Sequence, residues 1–157
     1  MQDNLIIRPI EPTDLPLVET FFDRMTGESK LFFNHNDCNR IHFRKLLEGQ
    51  VSDMEVFIAV DPEANLMAGT VFLFHPQCAL QNLGIAVDEA YGGHGLGVRL
   101  MEFIHDYARK KGVGGLMLNV HFANTRAQSL YLKMGYSYTG ISLLGQMLFV
   151  KRFLLEE

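Results

Sequence analysis

Ile85-Ala86-Val87-Asp88-Glu89-Ala90-Tyr91-Gly92-Gly93-His94-Gly95-Leu96-Gly97-Val98 is an apolar run that breaks into four glycines within six residues and then resumes with helical spacing. Strand, glycine turn and helix in that order form a general holder for a phosphate. Glycines let the backbone approach closely and turn its N–H groups inward, and the helix N-terminus adds positive potential. Each such dipole contact is worth about 0.3–1 kcal/mol at an exposed site, so several together hold a pyrophosphate without a basic surface. That matters because the chain of 157 residues carries a formal net charge of −4 and lacks the basic balance that nonspecific nucleic-acid binding needs.

Counting excludes two better-known phosphate loops. A P-loop requires Lys and then Ser or Thr after its second glycine, whereas the Gly92–Gly97 spacing continues into Val98-Arg99. A dinucleotide fingerprint requires a third small residue, but Gly93 and Gly95 lead to Val98, and Gly95 and Gly97 lead to Leu100. The closely connected strands upstream also leave no room for successive βαβ units.

Outward from the loop, Leu100, Met101, Ile104 and Ala108 predict a helix that Gly112 stops. Leu116 to Val120 reads as a strand. Asn124 caps a further helix carrying Ala127, Leu130, Tyr131 and Met134, which Gly135 ends. Tyr136 to Thr139 and Gln146 to Phe153 close the chain as strands. Upstream, Leu5 to Arg8 is a strand stopped by Pro9, followed by a helix from Thr13 or Asp14 that presents Leu15, Val18, Phe21, Phe22 and Met25 on one face. A second helix spans about Asn39 to Leu47. Glu55 to Val60 and Ala68 to Phe74 form a hairpin across Asp61-Pro62-Glu63-Ala64-Asn65, and Ala79 to Val87 extends it to an antiparallel meander.

The resulting order is β-α-α-β-β-β-α-β-α-β-β. It predicts an α+β fold: a single mixed, mostly antiparallel sheet of about seven strands flanked by about four helices, as one domain over 1–157. A composition of 48% hydrophobic and 20% charged residues suits one folded core. Cys38 and Cys78 form no CxxC pair and Met1 to Pro9 is no leader, so a cytoplasmic location is expected. The most apolar stretch, Ile141 to Val150, is far shorter than the roughly 20 residues a membrane helix needs. No HExxH or Cys/His cluster suggests a metal.

The run from Ile85 to Gly97 resembles motif A of the GCN5-related N-acetyltransferase (GNAT) family, in which an apolar strand leads to Gln or Arg, two variable residues, Gly, one variable residue, and Gly or Ala. Gly95 and Gly97 match, and Gly92 stands where Gln or Arg is usual. Asn124-Thr125-Arg126-Ala127-Gln128-Ser129-Leu130-Tyr131-Leu132-Lys133-Met134-Gly135-Tyr136 resembles motif B with all its marked positions filled. Ile7-Arg8-Pro9 through Asp14 is similar to the family's first strand and helix. The resemblance implies an acyl-CoA N-acyltransferase-like sheet with a splayed strand pair, and acetyl-CoA as co-substrate. It implies that the backbone of Ile85, Ala86 and Val87 pairs with pantetheine. N–H groups from Gly92 or Gly93 through His94, Gly95, Leu96, Gly97 and Val98 would cradle the pyrophosphate, with the His94 side chain facing solvent. Asn124 would contact the pantetheine arm, and Lys133 or Arg99 would add charge near the nucleotide.

The implied reaction is direct attack of an amine on the thioester, with Tyr131 protonating the departing sulfur. Family members often carry a glutamate base on the strand before motif A or before motif B. By spacing, those positions hold Gln81 and Asn119, amides that cannot act as bases. His121 shares a strand face with Asn119 by period-2 alternation and titrates in the right range, so it is the expected base. Glu55, His75 and a water relayed by Asn119 or Gln81 are alternatives. The acceptor, a small-molecule or peptide amine, is expected against residues 24 to 40, where Phe32, Phe33, His35 and Arg40 gather, with help from the final hairpin. A CoA-binding sensor without turnover is the competing expectation, and nucleotide hydrolysis a third. Nothing in the sequence fixes an interface, which leaves a homodimer open.

Overall fold

The computed structural model describes residues 4–27, 30, 40–74, 80–143 and 145–153. Its strands are β1 (Ile6–Pro9), β2 (Met54–Asp61), β3 (Leu66–Phe74), β4 (Leu80–Val87), β5 (Gly115–Val120), β6 (Ser137–Ile141) and β7 (Met147–Arg152). The helices are α1 (Leu15–Arg24), α2 (Arg40–Leu47), α3 (Leu96–Lys111) and α4 (Thr125–Lys133), with short 3-10 turns over Pro12–Asp14 and Glu89–Tyr91. The strands form one seven-stranded sheet in the order β1-β2-β3-β4-β5-β7-β6. All neighbours are antiparallel except β4 and β5. This is the α+β mixed sheet that the alternation of patterns implied.

Helices cover both faces of the sheet, which explains why β3 is buried from Met67 to Leu73 rather than alternating in and out. Ala59, Val71 and Leu73 pack on one side with Leu96, Leu100, Met101, Ile104 and Ala108 of α3. Val56, Ile58 and Phe72 pack on the other with Val18, Phe21, Phe22 and Phe43 of α1 and α2. Arg40 and Arg44 of α2 are tied to Glu19 of α1, and Arg40 also bonds Asp23 at 2.8 Å.

The feature that positions a site is the failure of β4 and β5 to stay together. They pair in parallel only at Leu80–Gly115, Gln81–Leu116 and Asn82–Met117. Beyond that point β4 runs on to Val87 bonded to β3 alone, and β5 runs on to Val120 bonded to β7 alone. The edge of β4 that faces β5 is therefore left without ladder partners from Leu83 onward among the described residues, and such an edge is a template for another amide-bearing chain.

Several strand boundaries shift by a residue or two from the sequence reading, and two of them do so for a local reason. Gln146 precedes β7 instead of opening it. Its carbonyl accepts from the Ser142 N–H at 2.8 Å, which closes the β6–β7 turn one residue later than the apolar run suggests. Tyr136 likewise precedes β6. It is buried, and its hydroxyl lies 2.7 Å from Nε2 of His105 on α3, so tertiary packing takes it out of the strand.

Candidate active site

A cavity of about 660 Å³ fills the gap between the diverging strands. Ile85, Ala86 and Val87 form one wall, and Asn119, Val120 and His121 form the other. The loop supplies Gly92, Gly93, Gly95, Leu96, Gly97 and Val98, and α4 contributes Asn124, Arg126, Ala127, Leu130 and Tyr131. Asp88, Glu89 and Tyr91 of the turn before the glycines, with Met25 and Gln146, complete the lining. His94 and Lys133 are exposed and do not line it, and Arg99 points instead to the Leu5 carbonyl at 3.4 Å. The charge expected near the nucleotide from Lys133 or Arg99 thus comes from neither at this cavity.

The loop is shaped by backbone geometry. Gly93 and Gly95 have φ of +78° and +83°, in the left-handed region where a side chain is strained. Gly95 is the N-cap of α3 and has no side chain to bond the first turn, so the N–H groups of Leu96, Gly97 and Val98 have no intrahelical partner and meet the cavity. The entry to the turn is braced from outside. Arg24 forms a bidentate pair with Asp88 at 2.6 and 3.2 Å, and the Tyr91 hydroxyl donates to Asp61 at 2.6 Å. Burial and that acceptor push Tyr91 up to about 12.

Tyr131 is 7% exposed, with its ring near Tyr136 and Phe149. Burial raises its pKa above the ordinary phenol value, so the hydroxyl keeps its proton across neutral pH. Asn124 caps α4 by accepting from the Ala127 N–H at 3.2 Å, which commits its oxygen to the helix. His121 accepts the Ala123 N–H on Nδ1 at 3.0 Å. A neutral ring so bonded carries its own proton on Nε2 and gains a second only by giving up the Ala123 bond.

Two acceptors face the cavity without a donor among the described residues: Oδ1 of Asn119 and Oε1 of Gln146, both buried. A buried carbonyl left unbonded costs about 1–3 kcal/mol, which a bound N–H donor recovers. Gln146 was missed in the sequence because an apolar run absorbed it; its position after Gly145, at the turn entering β7, was the available signal.

Other candidates are not brought here. Glu55 on β2 bonds the Tyr107 hydroxyl and the Lys111 ammonium and lines a separate hollow with Pro9 and Leu46. Gln81 is buried in the paired part of β4, outside the cavity. Arg40 is spent on α1. His75, Phe32, Phe33 and His35 lie outside the described residues. The carboxylates lining the cavity among the described residues are Asp88 and Glu89, both in the turn before the glycines.

An amide-bearing arm laid along an open strand edge, a polyphosphate at an uncapped helix start and a proton-bearing phenol between the strands are what an acyl-CoA-dependent N-acyltransferase requires. Residues 19–136 match the Acetyltransferase (GNAT) family, and the chain belongs to it. It is 26% identical over 142 residues to a streptothricin acetyltransferase of Streptomyces lavendulae, across 88% of this chain and 66% of that one, just under two thirds of its length. It is 28% identical over 134 residues to the ribosomal protein bS18-alanine N-acetyltransferase of Escherichia coli K12, across 83% and 80%. The PaiA N-acetyltransferase of Thermoplasma acidophilum, solved in complex with coenzyme A, shares the fold with a TM-score of 0.74 at 17% identity, over 95% of this chain and 99% of that one. The chain is an acetyl-CoA-dependent N-acetyltransferase. Its residues fit that co-substrate: the open β4 edge suits the pantetheine amides and the glycine turn suits the pyrophosphate. No helix among the described residues is long and apolar enough to cross a membrane.

Proposed function

We propose that residues 1–157 work as a single cytoplasmic acetyltransferase domain that passes the acetyl group directly to a primary amine of low basicity on a small molecule or peptide. The observation that carries this reading is the convergence of the open β4 edge, the glycine turn and the buried Tyr131 on one cavity. Bound acetyl-CoA supplies an activated thioester. The backbone of Ile85 to Val87 aligns it, and the N–H groups from Gly93 to Val98 hold its pyrophosphate, the Gly92 N–H being spent on the Glu89 carbonyl at 3.1 Å. Tyr131 gives its proton to the leaving sulfur.

Asn119 and Gln146 seat the amine. An attacking neutral amine has two hydrogens to donate, and two amide oxygens that accept them leave its lone pair for the thioester carbon. Amide oxygens do not take up a proton at neutral pH, so the amine arrives neutral. At pH 7 that costs about 1 kcal/mol for an α-amine with pKa near 7.8, against about 4–5 kcal/mol for a lysine near 10.4. The proton that the nitrogen loses on acetylation passes by way of His121, at the cost of its Ala123 bond, or of solvent at the open mouth, and restores the Tyr131 hydroxyl, so that a neutral amine and the thioester yield amide and thiol with no net release of a proton. Relatives named for streptothricin and for the alanine of ribosomal protein bS18 support both a small molecule and a peptide terminus as acceptor classes.

The test is release of free thiol from acetyl-CoA against a panel of polyamines, amino acids, aminoglycosides and N-terminal peptides. Acceptor-dependent release, strongest for amines of low pKa, is expected. CoA binding without release across the panel would replace this reading with the sensor.

A further inference from the structure

Gly92 stands where motif A usually carries Gln or Arg, and its backbone does not explain why. It has φ of −72° and ψ of 160°, extended geometry that any residue adopts. The explanation is spatial. A Cβ built at Gly92 would lie 3.3 Å from Nη2 and 3.8 Å from Nη1 of Arg126, and 3.2 Å from the Glu89 carbonyl. The guanidinium of α4 therefore occupies the place where a residue-92 side chain would begin.

Arg126 lines the cavity, is exposed, and has no hydrogen bond or ion pair among the described residues. Its situation contrasts with Arg24, which is bound to Asp88 at the same end of the loop. A guanidinium left unpaired among the described residues, beside the uncapped first turn of α3, is suited to an oxyanion, which it grips with two parallel donors. Resting on acetyl-CoA as co-substrate, we propose that Arg126 provides from α4 the side-chain contact to the CoA pyrophosphate that residue 92 does not, and that Gly92 is small to admit it. Loop and helix then share one anion site, and a positive charge from the neighbouring motif adds to the backbone dipoles.

The test is the dissociation constant, by calorimetry, of CoA, 3′-dephospho-CoA and pantetheine for the wild type and for Arg126→Ala, Gly92→Gln and Gly92→Gln/Arg126→Ala. Loss of one exposed charge-assisted contact should weaken CoA and 3′-dephospho-CoA alike, by about five- to tenfold, and leave pantetheine unchanged. Gly92→Gln alone crowds the guanidinium and should also weaken CoA. The double variant has room for the new side chain and should bind better than Arg126→Ala. Weakening of CoA but not of 3′-dephospho-CoA, equal weakening of pantetheine, no weakening at all, or purely additive substitutions would each overturn the proposal. Wild type that binds no CoA would refute the acetyltransferase reading itself, a result separable from all of these. Unchanged melting temperatures identify the variants as folded, and Arg126→Lys, retaining charge without the fork, should fall between wild type and Arg126→Ala.

Discussion

Replacing Tyr131 by Phe removes one hydroxyl from the cavity and little else. The ring stays in place, with centroid separations of 6.0 Å to Tyr136 and 6.2 Å to Phe149. The hydroxyl has no hydrogen-bond partner among the described residues, so its loss leaves nothing unpaired, and the stability change should stay below about 1 kcal/mol. The rate is different. A thiol with pKa near 8.5 leaves as an anion that lies about 2 kcal/mol above its protonated form at pH 7, which sets the help an acid can give at about thirtyfold. Because burial holds the phenol above its ordinary pKa, the acid stays loaded from pH 7 to 9. The wild-type advantage should therefore shrink about tenfold per pH unit toward pH 8.5, as the thiolate becomes a tolerable product. The assay is kcat at saturating acetyl-CoA from pH 6.5 to 9, with acetyl-CoA affinity measured in parallel and expected to stay constant. A variant with wild-type kcat at pH 7, or a deficit that stays constant with pH, would show that Tyr131 packs or positions without donating a proton.

Three further outcomes follow. Gly95→Ala places a side chain at φ +83° and should cost about 1–2 kcal/mol of stability in urea melts while weakening CoA binding; unchanged values for both would mean that the turn relaxes freely. Gln146→Leu removes a buried unbonded carbonyl, so the melting temperature should hold or rise while the acceptor KM increases and acetyl-CoA affinity stays level; an unchanged KM would remove Gln146 from the amine seat. His105 is lowered to about 4, first by burial and then by Lys151 and Arg109. Below pH 6.5 the unfolded chain binds a proton that the folded one refuses, so stability should fall by up to about 3 kcal/mol as pH drops from 6.5 to 4, then level. His105→Gln should flatten that slope, and an identical slope would assign it to other groups.

The fold was legible because its elements carry strong local signals. Glycines close α3 at Gly112 and α4 at Gly135, Asn124 caps α4, and the β2–β3 turn is spelled by Asp61-Pro62-Glu63-Ala64-Asn65. The order of elements emerged complete. The co-substrate end of the cavity was legible for a related reason: its chemistry is backbone, and glycine spacing records backbone demand directly. The acceptor end was not. Gln146 reaches the cavity because Ser142 holds its carbonyl in a turn, and Glu55 is withdrawn because Tyr107 and Lys111, more than fifty residues later, capture its carboxylate. The His121 tautomer depends on one N–H two residues on. Such long-range or single-bond contacts leave no periodic trace.

This division has a consequence for how the family varies. On the proposed reading the β4 edge and the N–H groups of α3 bind through atoms that every residue type possesses, so the demand on sequence there falls mainly on the glycines that shape the path. On the proposed reading the amine end rests on side chains contributed by separate elements, Asn119 from β5 and Gln146 from the β6–β7 turn. Each can change without disturbing the pyrophosphate cradle, because none lies in the loop between Gly92 and Val98. Relatives at 26% and 28% identity can thus keep one acetyl donor while carrying names that specify an antibiotic and a ribosomal protein. On the proposed reading the groups that meet the amine among the described residues are the neutral amides of Asn119 and Gln146, which would shift the burden of deprotonation onto the amine itself. Acceptor choice would then follow from amine basicity as much as from shape, since each unit of amine pKa above the working pH adds about 1.4 kcal/mol to the barrier.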